Sequence, residues 1–221
     1  MIRLGLFIGI LLHLGFSITS SDPYALDAGT FFASPKLHQH IELTQPDTAL
    51  LDAALFHATN EARQCEGLPL FHHDPSLHRA AASHAEAMIE RNFYGHDNPY
   101  SPTERTAEKR IHLRTRAFKY SAENIAEYQI IDTPDLYGSR RNWRVGKYEY
   151  LDLKTIQPCA PYTYATYARH VVDGWMNSPS HRVNLLSTLY THLGCAARIS
   201  QRPFQERRAP FARLVQDFGG D

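Results

Sequence analysis

Apolar positions between residues 47 and 67 recur at every third or fourth place: Leu51, Ala54, Leu55, Ala58, Ala62 and Cys65. That period lines up one face of an α-helix, with Asp47-Thr48 ahead of it as a cap and Gly67 as its stop. A second helix is marked by Asp74 as cap, Pro75 at the first position and Leu77, Ala81, Ala85, Met88 and Ile89 on one side. Its end is expected near Gly95. Ser101-Pro102-Thr103-Glu104 has capping-box spacing and predicts a third helix running toward Arg114. Helical spacing returns at Ala168, Val171, Val172, Trp175 and Met176, and Ser178-Pro179 restarts a short helix through Val183, Leu185 and Leu186. The chain closes on two strand-like runs, 193–199 and 211–218, joined by a Pro/Arg-rich turn and expected to pair antiparallel.

Two stretches lack these periods. Residues 22–46 carry Pro23, Gly29, Pro35 and Pro46 and read as an extended lead-in. Residues 128–164 read as an insertion, in which Trp143-Arg144-Val145 and Tyr148-Glu149-Tyr150 flank Gly146-Lys147 as a small hairpin. This stretch and its flank are dense in tyrosine (Tyr128, Tyr137, Tyr148, Tyr150, Tyr162, Tyr164, Tyr167), which suits either an interface or the cover of a sheet. Helices, an insertion, more helices and a final strand pair predict one α+β layered domain over residues 47–221.

The first 21 residues stand apart. Arg3, an apolar run at 4–16 and the small, polar exit Ser17-Ile18-Thr19-Ser20-Ser21 have the form of a secretory signal peptide, with cleavage after Thr19 or Ser21. The run is shorter than the roughly 20 residues of a membrane helix, and no Cys stands at the exit. The expectation is a secreted or periplasmic protein with no stable membrane anchor after cleavage. Export also permits disulfides. Cys65, Cys159 and Cys195 allow one intramolecular bridge in three pairings, or none.

Composition narrows the function. Lys and Arg total 23 against 23 Asp and Glu, which argues against a nucleic-acid partner. The chain has no G-x-S-x-G, no G-x-x-x-x-G-K, no G-x-G-x-x-G and no H-E-x-x-H. His84-Ala85-Glu86 lies in an Ala-rich helix and is expected on its solvated face, since the C-x-x-C of a zinc deaminase is missing around Cys159. Three segments remain as parts of a pocket: Tyr94-Gly95-His96-Asp97, Ser121-Ala122-Glu123-Asn124-Ile125-Ala126, and Trp175-Met176-Asn177-Ser178-Pro179-Ser180-His181-Arg182-Val183-Asn184-Leu185-Leu186.

With Asn60-Glu61-Ala62-Arg63, Leu68-Pro69-Leu70, Asp74-Pro75-Ser76-Leu77 and Val215-Gln216-Asp217-Phe218-Gly219, these segments resemble the CAP superfamily (cysteine-rich secretory proteins, antigen 5 and pathogenesis-related proteins), in its bacterial SCP-like form. The resemblance covers about 50–219, interrupted at roughly 128–164. It implies a three-layer α-β-α sandwich around an antiparallel sheet, and a cleft bearing two histidines and two acids. His96 and His181 match the histidines and Glu123 one acid. The second acid has no match, because Ser178 and Pro179 stand where it is expected, which leaves Glu127, Asp97 or a water for that place. Asn124 and Ser178 read as supporting hydrogen-bonders.

Ser178 as cap and Pro179 as first residue put His181 third in its helix, where the positive helix end favours neutral imidazole. Two imidazoles and a carboxylate suit Zn²⁺ with one open position. Metal-bound water would make a hydrolase of the set, a peptidase or esterase. Without metal the same groups form a hydrogen-bonded network. The first expectation is a non-enzymatic protein binding a lipid or other small apolar molecule, a metal ion or a protein partner. The hydrolase is its rival.

Overall fold

Side chains that take up orphan backbone N–H groups start the helices. The computed structural model describes residues 22–221, so the leader expected at 1–21 lies outside the described residues. Asp27 accepts from Thr30 N–H to open α1 (Ala28–Phe32), and Asp47 accepts from Leu50 N–H to open α2 (Thr48–Cys65). Asp74 accepts from Ser76 and Leu77 ahead of α3 (Pro75–Glu90). Thr106 starts α4 (Ala107–Arg114), and Thr163 shares a reciprocal cap with Thr166 at α5 (Tyr164–Met176). In α6 (Pro179–Leu186) Pro179 fills the first position.

The ends obey the same chemistry. Gly67, at φ +69°, lets Leu68 N–H reach Arg63 O and stops α2 as expected. Two other boundaries differ from expectation. α3 stops at Glu90, well before Gly95, because Asn92 adopts φ +50° and Phe93 N–H closes on Met88 O. Asn here takes the place of the usual glycine. α4 begins at Ala107 rather than Pro102: Ser101 Oγ does accept from Glu104 N–H, but Asn98 N–H then claims Arg105 O, and the segment remains a turn.

The strands are β1 (His72–His73), β2 (Tyr120–Gln129), β3 (Tyr137–Asn142), β4 (Lys147–Asp152), β5 (His192–Ile199) and β6 (Phe211–Gly220). The main sheet runs β1-β5-β6-β2, antiparallel except for the short parallel β1–β5 pair. Alternation splits its side chains between two helical layers. Leu193, Cys195, Ala197, Leu214 and Phe218 pack in one core with Leu51, Leu55, Val171, Val172 and Trp175 of α2 and α5. Ile125, Ala196 and Val215 face Ala81, Ala85 and Met88 of α3. The molecule is the expected α-β-α sandwich. Gly194 is required where the layers touch, since a Cβ there would lie 2.0 Å from the backbone nitrogen of His78.

Residues 22–46 depart from an extended lead-in. Prolines open 3-10 turns at Pro23–Ala25 and Pro35–His38 rather than interrupting structure, and Phe31, Phe32, Leu37, Ile41 and Leu43 join the main core. The hairpin in the inserted stretch is present as a separate two-stranded sheet, β3–β4, but shifted: Trp143-Arg144-Val145 forms its turn, not a strand. Tyr150, Tyr164 and Tyr167 are buried as cover, whereas Trp143 is solvent-exposed. Cys65, Cys159 and Cys195 are all free thiols.

Candidate functional site

Glu123 lies on the β2 face that looks toward α3 and α4, with its side chain 2% exposed. A lone carboxylate at that depth would lose its hydration without return. Both oxygens are instead engaged: Oε1 is 2.8 Å from His96 Nδ1, and Oε2 accepts from Arg110 Nη2. Arg110 sits on α4, fully buried, and also donates to His96 O, Glu104 O and Arg105 O. One guanidinium thus fixes the 96–105 loop and neutralises the acid beneath it. His96 itself keeps a side chain 56% exposed. Its hydrogen bond to Glu123 holds its pKa above the ordinary histidine value.

His181 reaches the same region from the other helical layer. Its Nδ1 is 2.8 Å from Ser178 Oγ, so Ser178 serves the ring rather than a helix-opening N–H. Burial, and then the nearby charge of His96, lower its pKa. Both effects act in the direction expected, toward neutral imidazole. Asn124 ties the backbone in place: Nδ2 donates to His181 O and Gln216 Oε1, while Oδ1 accepts from Asn184. Gln216 passes the chain on to Thr59 of α2 at 2.7 Å.

The remaining candidates are occupied elsewhere. Glu127 binds Arg208 at 2.5 Å and Arg213 at 2.9 Å. Asp97 is exposed, with Arg105 at 3.4 Å. Among the described residues, no group of three or more His, Cys, Asp or Glu side chains is gathered to hold a metal ion. Glu123, turned to Arg110 and His96, is an orienting partner of His96 and not a free third ligand. The residues as placed do not fit a two-histidine, one-carboxylate zinc site.

Three further residues complete the cluster. His84, expected on a solvated face, is fully buried; Nε2 donates to Gly95 O at 2.9 Å, and Nδ1 has no partner. Burial lowers its pKa. Its companion Glu86 does face solvent, beside Arg198. Asp217 is fully buried with neither oxygen partnered, and burial followed by the charge of Glu123 raises its pKa well above the carboxylate range. Arg110 is the third. A signal existed in the last strand, where Arg213, Val215 and Asp217 alternate onto one face, an unusual polarity for a buried strand.

Four cavities of about 280–420 Å³ line other parts of the surface, and none of these four includes His96, Glu123 or His181. In the same loop as His96, Tyr94 and Tyr100 are 52% and 60% exposed.

The family model described as CAP, cysteine-rich secretory protein family, matches residues 56–205. The protein named YkwD of Bacillus subtilis strain 168 is 26% identical over 136 residues, 62% of this chain and 38% of that protein. An extracellular protein containing a SCP domain from Bacillus anthracis superposes with a TM-score of 0.51 at 21% identity, over 79% of this chain and 41% of that one. An outer surface protein of Borrelia burgdorferi gives 0.48 at 19% identity, over 75% of this chain and 89% of that one. The chain spans about two fifths of the Bacillus proteins it matches.

Proposed function

We propose, from the premise that this chain belongs to the CAP, cysteine-rich secretory protein family, that it is an extracytoplasmic, non-enzymatic protein that binds a protein partner across the His96–His181 rim. One observation carries the reading: Glu123, the only acid matched between the histidines, has both oxygens bound, one to His96 and one to buried Arg110. A carboxylate so engaged organises a loop and is not free to act as a base on substrate. Tyr94 and Tyr100, in the same loop as His96, are exposed, and none of the four cavities described includes His96, Glu123 or His181. Such a surface suits a protein better than a small apolar molecule, which needs a concave site that buries most of it. The metal-dependent hydrolase gains nothing from this arrangement, since among the described residues no third ligand accompanies the two rings.

Export is part of the same proposal. It rests on the leader-like sequence at 1–21 and on the extracellular description of the Bacillus anthracis relative. No helix of the described residues is long and apolar enough to cross a membrane.

The test is site-specific photo-crosslinking in the native cell, with the reactive residue at Tyr94 or Tyr100 and a control at Arg207, followed by fractionation. The reading expects a discrete crosslinked protein, found outside the cytoplasm, that His96→Ala abolishes. Equal products from rim and control positions would refute it, and so would zinc-dependent turnover of a generic ester or peptide.

A further inference from the structure

The turn of the β3–β4 hairpin presents a second surface. Gly146 N–H closes it on Asn142 O at 2.8 Å and Arg144 N–H on Asn142 Oδ1 at 3.1 Å, with Gly146 at φ +68°. This geometry leaves Trp143 79% and Val145 62% exposed. A lone exposed apolar residue is ordinary, but an indole and a valine together in a projecting turn offer a large apolar area to a partner phase.

Cations collar these two residues. The Arg141 guanidinium lies 4.6 Å over the Trp143 ring and 5.9 Å from that of Tyr148, and Arg144 and Lys147 are exposed beside it. Arg141, Arg144 and Lys147 make no ion pair among the described residues. Of the two acids on the strands, Glu149 is bound by Arg140 at 2.7 Å, and Asp152 sits at the opposite end, across from Tyr137. The foot of the hairpin is fixed. Tyr148 N–H donates to Phe204 O, the buried Tyr150 hydroxyl donates to Glu206 O, and Ala209 N–H donates to Tyr137 Oη. Docking therefore need not order the hairpin first.

We propose that this turn docks the protein on a bilayer rich in anionic lipid: Trp143 and Val145 enter the boundary between headgroups and acyl chains, and Arg141, Arg144 and Lys147 lie over the phosphates. An apolar tip within a basic collar matches the layering of a membrane interface. A stable protein contact needs about 800 Å² from each partner, more than a four-residue convex turn supplies. Each cation is expected to strengthen binding about fivefold.

Sedimentation of the full chain with phosphatidylglycerol-containing vesicles tests this, with pure phosphatidylcholine vesicles and soluble polyglutamate as the other arms. Trp175 is 1% exposed, so a blue shift of tryptophan emission reports Trp143. Expected are salt-sensitive binding to the anionic vesicles alone, about fivefold weaker in each of Arg141→Gln, Arg144→Gln and Lys147→Gln. The blue shift is expected to vanish in Trp143→Ala and binding to weaken in Val145→Ser, with circular dichroism unchanged. His96→Ala, on the other site, leaves vesicle binding intact. The proposal fails if the anionic vesicles do not bind, if they bind without a blue shift, if the charge variants bind as wild type, or if polyglutamate binds the turn and vesicles do not.

Discussion

Asp217 stands directly opposite Glu123 across the β2–β6 ladder, with Gly194 opposite it on its other side. The two carboxyl groups thus lie side by side on a buried face, near the guanidinium of Arg110. Arg110 bonds Glu123, and Asp217 is left without a partner. In such a pair one acid stays ionised and the other holds its proton. Burial, and then the charge of Glu123, push the Asp217 pKa well above the ordinary carboxylate value and favour its protonated form.

A pH signature follows for stability. The folded chain keeps on Asp217 a proton that the unfolded chain releases above about pH 4. Its contribution is therefore fully present below that pH and is lost as pH rises toward the raised folded value. Asp217→Asn keeps the shape and needs no proton. Urea titrations should show this variant gaining on wild type from pH 4 to pH 8, by at most about 1.4 kcal/mol per pH unit. A constant gap across that range would mean that Asp217 is ionised in the fold.

Removing the guanidinium should be far more damaging than removing the pair. Arg110→Met leaves Glu123 buried and charged, and is expected to cost about 3–5 kcal/mol. Arg110→Met with Glu123→Gln should recover part of that loss. A double-mutant cycle in denaturant measures the coupling, and simple additivity would contradict the network.

The two histidines can be read one against the other. In titrations followed by NMR, His96 should have its midpoint above 6.5 and His181 below it. His96→Ala removes a nearby positive charge, so the His181 midpoint should move up. An unmoved midpoint would show that the rings do not share a rim. For His96 the associated stability is complete below pH 6.5 and fades as pH climbs through its raised folded value.

Gly194→Ala would drive a methyl group into the first turn of α3 at His78. Backbone cannot yield as a flexible side chain can, so a loss of about 1–3 kcal/mol or more is expected. A melting temperature equal to wild type would contradict the close helix-sheet contact.

Local chemistry explains what the sequence revealed. Asp47, Asp74 and Pro179 announce helices because their partners lie within four residues. Where two local solutions compete, the reading drifts. Asn92 stands in for glycine at the end of α3, Ser101 closes a turn without opening a helix, and Gly146 closes a longer hairpin turn than its neighbours suggest. His96, Glu123 and His181 were picked out through family resemblance. Arg110, His84 and Asp217 escaped because their meeting depends on strand register and on two helices laid over it. Glu123 and Asp217 are 94 positions apart in the chain and adjacent only once β2 and β6 have paired.

That same strand order constrains how the protein comes to be. Its second, fifth and sixth strands form the central scaffold, yet β2 hydrogen-bonds to no main-sheet strand other than β6, which lies about 90 residues further along the chain. Tyr120 waits for Gly220 before its half of the ladder closes. Among the described residues ahead of β2, helices and apolar stripes have only the two-residue β1 of the sheet on which to rest, so cooperative folding comes late and slowly, as expected where pairings are distant. Deleting residues 211–220 would remove the strand between β5 and β2, and with it the seam that joins the two halves of the sandwich.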